Sequence, residues 1–228
     1  MDDIVLMADP RVVGIPAHDC GEPLVDARES GGLFVDERKA DPAGCYAQLR
    51  EGVLQRLLHA QELLPPGLRL MFVEGYRPLS LQRHYFEEYL DDLRAQSPGL
   101  PEAELYDAAS RYVSPPDVAP HSAGAAVDLT LADANGVELD LGTRMNANPE
   151  ESEGACYTHA PNITPQARGY RAVLGTALAA AGLVNYPTEW WHWSYGDRYW
   201  AWSTGASSAH YGPAPMPGES LTPTREVE

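Results

Sequence analysis

The spacing of apolar residues predicts four helices. Residues 65–67 read Pro-Pro-Gly and end the first pattern, because proline cannot continue a helix. Before this stop, residues 42–64 contain apolar side chains at intervals of three or four positions, as on one face of an α-helix: Leu49, Val53, Leu57 and Ala60. The other three predicted helices cover residues 79–95, 101–112 and 164–181.

Two further patterns predict strands. Residues 68–74 (LRLMFVE) are mostly apolar, with four apolar residues in succession at 70–73, which is typical of a buried strand. Residues 124–131 alternate between apolar and small or polar side chains, so this strand should have one apolar face, formed by Ala125, Val127, Leu129 and Leu131. Two hairpins are also predicted, one joining this strand to residues 137–141 through Asn135-Gly136 and one joining residues 190–195 to 199–202 around Gly196-Asp197.

The length of the chain is consistent with one domain. With 228 residues, the chain is long enough to bury a substantial hydrophobic core. Helices and hairpins follow one another without a regular alternation of strand and helix, which favours an α+β fold over a parallel sheet. We predict a single domain over residues 1–204. Residues 205–228 are rich in Gly, Pro and Ser and are predicted to form a disordered C-terminal tail.

The chain is strongly acidic. Its 16 Lys and Arg residues stand against 33 Asp and Glu residues, which gives a formal net charge of −17. This charge argues against nucleic acid and anionic membrane surfaces as partners. It also disfavours a strongly anionic substrate, unless a local cationic group captures it. The sequence indicates no particular oligomeric state.

Targeting and cysteine patterns bear on the compartment. The N-terminal sequence lacks the basic and apolar regions of a secretory signal, and no apolar stretch approaches the ~18–20 residues of a membrane span. Cys20, Cys45 and Cys156 are widely spaced, which fits neither a disulfide framework nor a Cys-x-x-Cys metal site. We therefore expect a cytoplasmic protein.

Two short segments contain the residue types of a catalytic zinc site. The first runs from His121 to Asp128 and the second from Glu189 to His192. A catalytic zinc ion commonly has three protein ligands drawn from His and carboxylate side chains and keeps one position for water, whose proton a nearby carboxylate can accept. The two segments supply one carboxylate more than three ligands require. Taken separately, each spacing is a weak signal, because isolated His residues more often occupy ordinary core or surface positions.

The predicted strands restrict how these residues approach one another. His121 precedes the strand that carries Asp128 on its polar face, and the two can converge if the chain bends at Gly124. His192 comes from the second hairpin. Glu189 lies three residues earlier, so in a regular strand it would point to the opposite face. It must therefore precede the strand or occupy a bulge to reach a metal-bound water.

Four motifs follow one another along the chain: Glu74-Gly75-Tyr76-Arg77-Pro78, HSAGAAVDLTL at residues 121–131, LDLGT at residues 139–143 and EWWHW at residues 189–193. With these motifs in this order, residues 21–202 resemble the zinc D-Ala-D-Ala metallopeptidase family, and within it the D-alanyl-D-alanine dipeptidases of the vancomycin-resistance type. The resemblance implies a small antiparallel sheet that carries a zinc site, with helices packed around it.

The resemblance also implies roles for individual residues. One Zn²⁺ per chain would be held by His121, Asp128 and His192, with Glu189 as general base and acid. Arg77 matches the arginine that polarises the scissile carbonyl in the family. A fixed guanidinium suits this task, because it can stabilise the oxyanion of a tetrahedral intermediate.

Two positions depart from the family pattern. Ala119 stands where the dipeptidases usually have Ser, and Asn146 stands where they usually have Asp; in the family, both groups help to bind the free ammonium of the substrate. Asn146 can accept a hydrogen bond but carries no charge, which weakens selection for a free N-terminus. Ser122 and Tyr76 lie inside the matching motifs and are further candidates for substrate contacts.

The leading hypothesis is a zinc-dependent hydrolase of D-Ala-D-Ala or a similar small D-amino-acid dipeptide. A zinc D,D- or L,D-carboxypeptidase acting on longer cell-wall peptides is an alternative, which Asn146 favours and the missing secretory signal disfavours. A non-catalytic zinc-binding recognition domain is a third hypothesis. Glu189 and Arg77 disfavour it, since a structural zinc site needs neither. Antibiotic resistance, wall recycling and nutrition all remain open as biological roles.

Overall fold

The computed structural model describes residues 4–110 and 112–216. It mixes helices with strands, and the predicted α+β class is confirmed. The strands are β1 (Leu24–Asp26), β2 (Phe34–Val35), β3 (Gln48–Arg50), β4 (Leu68–Glu74), β5 (Ala126–Asp133), β6 (Val184–Asn185) and β7 (His192–Ser194). The α-helices are α1 (Pro10–Val13), α2 (Glu51–Leu63), α3 (Leu79–Gln96), α4 (Glu102–Ala109), α5 (Pro165–Ala180) and α6 (Arg198–Thr204).

A five-stranded sheet with the order β2-β4-β5-β7-β6 forms the centre of the fold. β4, β5, β7 and β6 pair in antiparallel fashion, and the two-residue strand β2 adds parallel to β4 at one edge. β1 and β3 form a separate antiparallel pair. The small antiparallel sheet is therefore present, with one short parallel strand beside it.

The two faces of this sheet bury different kinds of side chain. On one face, α2 and α5 pack against each other and against the sheet. Asp128 and Thr130 of β5 alternate with the apolar residues, so they point to the other face, and both are buried there. The predicted apolar face of β5 is confirmed, since the main hydrophobic core contains Ala125, Val127, Leu129 and Leu131.

α2 is shorter than the spacing of apolar residues predicts. It begins at Glu51, whereas the prediction started the helix at residue 42. The residues just before it form β3 instead, because their backbone groups bond to other segments. Gln48 O accepts a hydrogen bond from Tyr76 N, and Arg50 N donates to Gly124 O. α3, α4 and α5 occupy the segments that the sequence predicts. No helix in the described part of the chain is long and apolar enough to cross a membrane.

The predicted second hairpin is wrong. Residues 199–202 belong to α6, because the Asp197 carboxylate accepts hydrogen bonds from the backbone nitrogens of Tyr199 and Trp200 and caps a helix there. β7 pairs with β5 and β6 instead. β7 therefore pairs with two strands that precede it in the sequence and not with the segment that follows the turn at Gly196-Asp197.

The first hairpin forms only in part. The chain turns at Asn135-Gly136 as predicted, with Gly136 N donating to Asp133 O. The following segment does not become a strand, and it bridges β5 at the single pair Ala132 and Glu138.

The chain after α6 is packed against the fold as far as the structure describes it. Tyr211 and Ala214 are buried, and Ala214 N donates to Ser122 O. The prediction of a disordered tail is therefore wrong for residues 205–216, because aromatic and alanine side chains in this segment pack onto the core. The rest of the predicted tail, residues 217–228, lies outside the described residues.

Candidate active site

The three predicted metal ligands come from separate elements and meet on the second face of the sheet. His121 lies in a short 3-10 helix, Pro120–Ala123, which leads into β5. Asp128 lies within β5, and His192 is the first residue of β7. These two residues are directly opposite in the antiparallel register, so their side chains share one face. All three ligands are at most 5% exposed.

The ligand atoms of these residues lie close together. His192 Nδ1 is 3.1 Å from Asp128 Oδ1, and His121 Nε2 is 3.3 Å from the same oxygen. The two ring nitrogens are 3.2 Å apart. Three ligand atoms bonded to a tetrahedral zinc ion at about 2.0–2.1 Å lie roughly 3.3 Å from one another. The donor set therefore fits zinc in both chemistry and spacing, and the described residues supply three ligands and not four.

A backbone contact orients the ring of His121, the first of the predicted metal ligands. His121 Nδ1 lies 2.7 Å from Gly75 O, and we assign its proton to this bond because a carbonyl can only accept. The assignment leaves Nε2 of the same ring with a lone pair that faces the other ligands. Such contacts commonly fix the tautomer of a metal-binding histidine.

The charge environment keeps Asp128 ionised. Burial alone would raise the pKa of its carboxyl, but electrostatic attraction and hydrogen bonds from His121 and His192 outweigh burial and hold that pKa well below its usual range. An ionised carboxylate is the form that binds a metal ion.

Glu189 lies in the turn that precedes β7. Its backbone nitrogen donates to Tyr186 O, and its carbonyl accepts from His192 N. Because Glu189 comes before the strand, the alternation of side chains along β7 does not turn it away from the predicted ligands. Its Oε2 lies 3.9 Å from His192 Nδ1. The side chain is 30% exposed in the cleft. Burial of the carboxyl raises the pKa of Glu189 to about 7, although nearby His192 opposes the shift.

Arg77 is held in place by two neighbouring side chains. Its Nε and Nη2 donate to the two oxygens of Glu74 at 2.7 and 2.9 Å. Its Nη1 donates to Gln82 Oε1 at 2.8 Å. The backbone nitrogen of Arg77 also donates to His121 O, so the segment that carries the guanidinium is bonded to the first predicted metal ligand. The arginine is therefore oriented before any substrate arrives.

A cavity of about 230 Å³ opens beside the metal ligands. A second cavity of about 370 Å³ adjoins it. The residues that line both are Tyr112, Asn146 and Glu189. The first cavity is also lined by Met7, Lys39, Arg77, Ala119 and Tyr186.

The structure separates the four predicted substrate-binding residues into two pairs. Ala119 and Asn146 line the first cavity. Tyr76 does not, since it is 1% exposed and its hydroxyl donates to Ala214 O at 3.0 Å. Ser122 is fully buried, and its carbonyl accepts from Ala214 N. Tyr76 and Ser122 thus hold the C-terminal segment in place and do not face the cleft.

Several residues in or beside the cleft received no role from the sequence, although Glu74 lies within one of the four motifs. Glu74 and Gln82 orient Arg77, yet the sequence pattern assigned neither a role. Gln82 is 1% exposed within α3, and a buried polar residue of this kind becomes recognisable only when its partner is known. Met7 and Tyr112 reach the cleft from distant segments. No spacing rule connects such positions to the metal ligands, because tertiary contacts alone bring them there.

Comparison with known proteins identifies a family that this chain matches. Residues 45–205 match the peptidase M15 family model, described as D-Ala-D-Ala dipeptidase. The chain is 33% identical over 218 residues to a D-alanyl-D-alanine dipeptidase of Synechocystis, which covers 83% of this chain and 88% of the relative. It is 29% identical over 127 residues to a D-alanyl-D-alanine dipeptidase of Escherichia coli, covering 55% of this chain and 54% of the relative.

A solved structure with a similar chain is that of the vancomycin resistance D,D-pentapeptidase VanY in complex with Zn(II). The two chains are 15% identical, with a TM-score of 0.44 over 84% of this chain and 89% of the other. The family model covers well over half of the sequence, and the Synechocystis relative aligns with most of it. The chain therefore belongs to the M15 peptidases, the metallopeptidase family of the D-Ala-D-Ala dipeptidases.

Proposed function

We propose that this metallopeptidase hydrolyses D-Ala-D-Ala or a similar small dipeptide of D-amino acids, using one zinc ion per chain. The observation that carries the proposal is the convergence of three ligand atoms, from His121, Asp128 and His192, in a cavity that Glu189 and Arg77 also line. A structural zinc site is normally closed by four protein ligands and needs no adjacent carboxylate or guanidinium. A non-catalytic zinc-binding domain is therefore disfavoured.

Glu189 acts as general base and then as general acid. A zinc ion held by His121, Asp128 and His192 would act as a Lewis acid and would lower the pKa of water. The Glu189 carboxylate takes a proton from the attacking water and returns it to the nitrogen of the departing amine. Its position, 3.9 Å from His192 Nδ1 and partly exposed in the cleft, supports this role.

Arg77 stabilises the negative charge that develops on the carbonyl oxygen. Glu74 and Gln82 accept three of its five N–H groups, which leaves two for the substrate. A cation already fixed by such contacts needs little reorganisation when the carbonyl is attacked, and this makes it effective in the transition state.

The first cavity favours a small substrate. Its volume of about 230 Å³ is below the ~300–1,000 Å³ typical of pockets for drug-sized ligands. Ala119 and Asn146 contribute neutral side chains to its wall. The ammonium of a free dipeptide therefore finds a hydrogen-bond acceptor in Asn146 but no charge from these two positions.

A second candidate function is carboxypeptidase activity on longer cell-wall peptides. The adjoining cavity of about 370 Å³ favours it, because a substituent on the substrate's amino group can extend past Asn146 and Tyr112 into this space. An acylated amino group has no charge and suits a neutral Asn146. The compartment of the protein favours one of the two functions. An enzyme in the cytoplasm, which is the location predicted from the sequence, has access to free dipeptides and not to the assembled cell wall.

Hydrolysis of three dipeptides by zinc-loaded protein tests the proposal. Free D-Ala-D-Ala, L-Ala-L-Ala and N-acetyl-D-Ala-D-Ala are compared by the rate at which alanine is released. Rapid turnover of free D-Ala-D-Ala alone supports the dipeptidase function. Turnover of the acetylated compound alone assigns the protein to the carboxypeptidases. Turnover of none of the three by folded, zinc-loaded protein contradicts both.

A further inference from the structure

Lys39 is the only lysine in the sequence, and its side chain lines the cavity beside the metal ligands. Among the described residues of this cavity, Lys39 and Arg77 are the only lysine and the only arginine. The whole chain has a formal net charge of −17. A substrate carboxylate is repelled by such a field unless a cation near the site attracts it.

The sheet topology brings Lys39 close to the predicted metal ligands. β2 and β4 are parallel, with Val35 opposite Phe72. The carboxyl ends of the two strands therefore lie at the same end of the sheet. β4 ends at Glu74 and leads to Arg77, and β2 leads to Lys39. As a result, Lys39 Nζ lies 3.9 Å from Glu74 Oε2.

The charge of Lys39 is not neutralised by this contact. Glu74 accepts two short bonds from Arg77, whereas 3.9 Å is too long for a hydrogen bond. One carboxylate stands between two cations, so the group of three keeps a net positive charge. In the described part of the chain, Lys39 forms no other ion pair within 4 Å, and its side chain is 34% exposed. The ammonium is therefore available to a ligand.

We propose that Lys39 binds the terminal carboxylate of the dipeptide substrate and selects substrates with a free C-terminus. This inference rests on the proposed dipeptidase function. Asn146 and Tyr112 line both cavities, so they mark the side toward which the amino-terminal part of the substrate points. Lys39 lines the first cavity alone and faces the other part of the substrate. Arg77 serves the scissile carbonyl between them.

Kinetics with Lys39→Met test this role, because methionine keeps the apolar stem and removes the charge. For D-Ala-D-Ala, KM should rise about 10- to 100-fold while kcat changes little, as expected when a charge-assisted hydrogen bond is lost from substrate binding. For D-alanyl-D-alaninamide, which lacks the carboxylate, kcat/KM should be the same in both proteins. Lys39→Arg should keep most of the affinity. Arg94→Gln is the control, since it removes a surface cation outside both cavities.

The single lysine also permits a measurement that needs no turnover. An amine-acetylating reagent modifies Lys39 and the chain's amino terminus, and peptide mass spectrometry distinguishes the two. In zinc-loaded Glu189→Ala protein, D-Ala-D-Ala should slow acetylation of Lys39 and leave that of the terminus unchanged, and the alaninamide should protect Lys39 far less.

The two readouts separate the inference from the proposed function. Equal acetylation of Lys39 with and without D-Ala-D-Ala, or an unchanged preference of Lys39→Met for the acid over the amide, overturns the inference. Protection of Lys39 in a protein that hydrolyses no dipeptide supports carboxylate binding and removes only the proposed dipeptidase function.

Discussion

Glu74 and Asp128 lie directly opposite each other across β4 and β5, although simple alternation along β4 would put Glu74 on the core face. Phe72 pairs with Leu129, and both belong to the hydrophobic core. The register then shifts, so that two steps along β4 match one step along β5 and Glu74 pairs with Asp128. This irregularity turns the Glu74 carboxylate to the face that carries the predicted metal ligands, where it orients Arg77.

Glu74→Gln should lower both stability and catalysis. The substitution leaves the largely buried Arg77 guanidinium without its carboxylate, and breaking a buried pair in this way costs about 3–5 kcal/mol in the free energy of unfolding. We expect kcat to fall about 100- to 1,000-fold, since the donor to the oxyanion loses its orientation. Denaturant unfolding and steady-state kinetics measure the two effects. Glu62→Gln, at a 79% exposed position, should change neither.

Glu189→Ala should retain zinc and lose turnover. Glu189 is outside the three-ligand set, so metal content measured by atomic absorption should match that of the unchanged protein. Loss of the general base should reduce kcat about 100- to 10,000-fold. A variant with near-normal kcat would show that another group transfers the proton.

Removal of metal should inactivate and destabilise the protein. A ligand that binds only the folded state at 100 times its Kd contributes about 2.7 kcal/mol to stability, so a chelator should lower Tm and added zinc should restore it. Asp128→Asn removes a charged ligand, and its Tm should not respond to zinc. If this variant gains as much from zinc as the unchanged protein, Asp128 is not a ligand.

Gly124→Ala should destabilise the fold and weaken zinc binding. Gly124 has φ +65°, and a Cβ atom there would lie 2.4 Å from Leu24 Cδ2. The positive φ costs about 1–3 kcal/mol for a residue with a Cβ, and a backbone shift that relieved it would also move the segment that carries His121. Gly169→Ala is a matched control, because a Cβ in this part of α5 meets no atom within 4 Å. The control should raise the free energy of unfolding by roughly 0.5–1 kcal/mol. Equal stability of the two variants would contradict the strain argument.

Asn146→Asp should sharpen selection for a free amino terminus. Asn146 has φ +60°, a conformation that Asp also tolerates, so the wall of the cavity should keep its shape. The new carboxylate can pair with the substrate ammonium, and kcat/KM for D-Ala-D-Ala relative to its N-acetyl derivative should rise about tenfold or more. Asn148→Asp places the same charge in the second cavity only and should have a smaller effect. An unchanged ratio in Asn146→Asp would place the ammonium elsewhere.

The sequence by itself determined the features that depend on neighbouring residues. The mostly apolar segment of β4 is visible in the sequence, and so is the alternation in β5, because side-chain direction in a strand is set by backbone geometry. The same alternation placed Asp128 on the polar face. The His and carboxylate residues of the candidate metal site could also be recognised in the sequence, since zinc binds few types of side chain. Glu189 required a position before the strand, and the structure has it there.

Only the tertiary structure decided the features that depend on distant contacts. Leu49 is buried in β3 and not in the predicted helix. The sequence could not distinguish the two, because a single buried apolar residue is compatible with a helix and with a strand. Tyr76 lies inside a motif yet packs against Ala214. Pairing between distant strands also produces the register shift before Glu74 in β4. In the same way, the parallel pairing of β2 with β4 places Lys39 near Glu74. The periodicity of apolar residues indicates which face of a helix or strand is buried. The register of the strands and the residues that line a cavity depend on which elements pack together, and contacts between distant parts of the chain decide this.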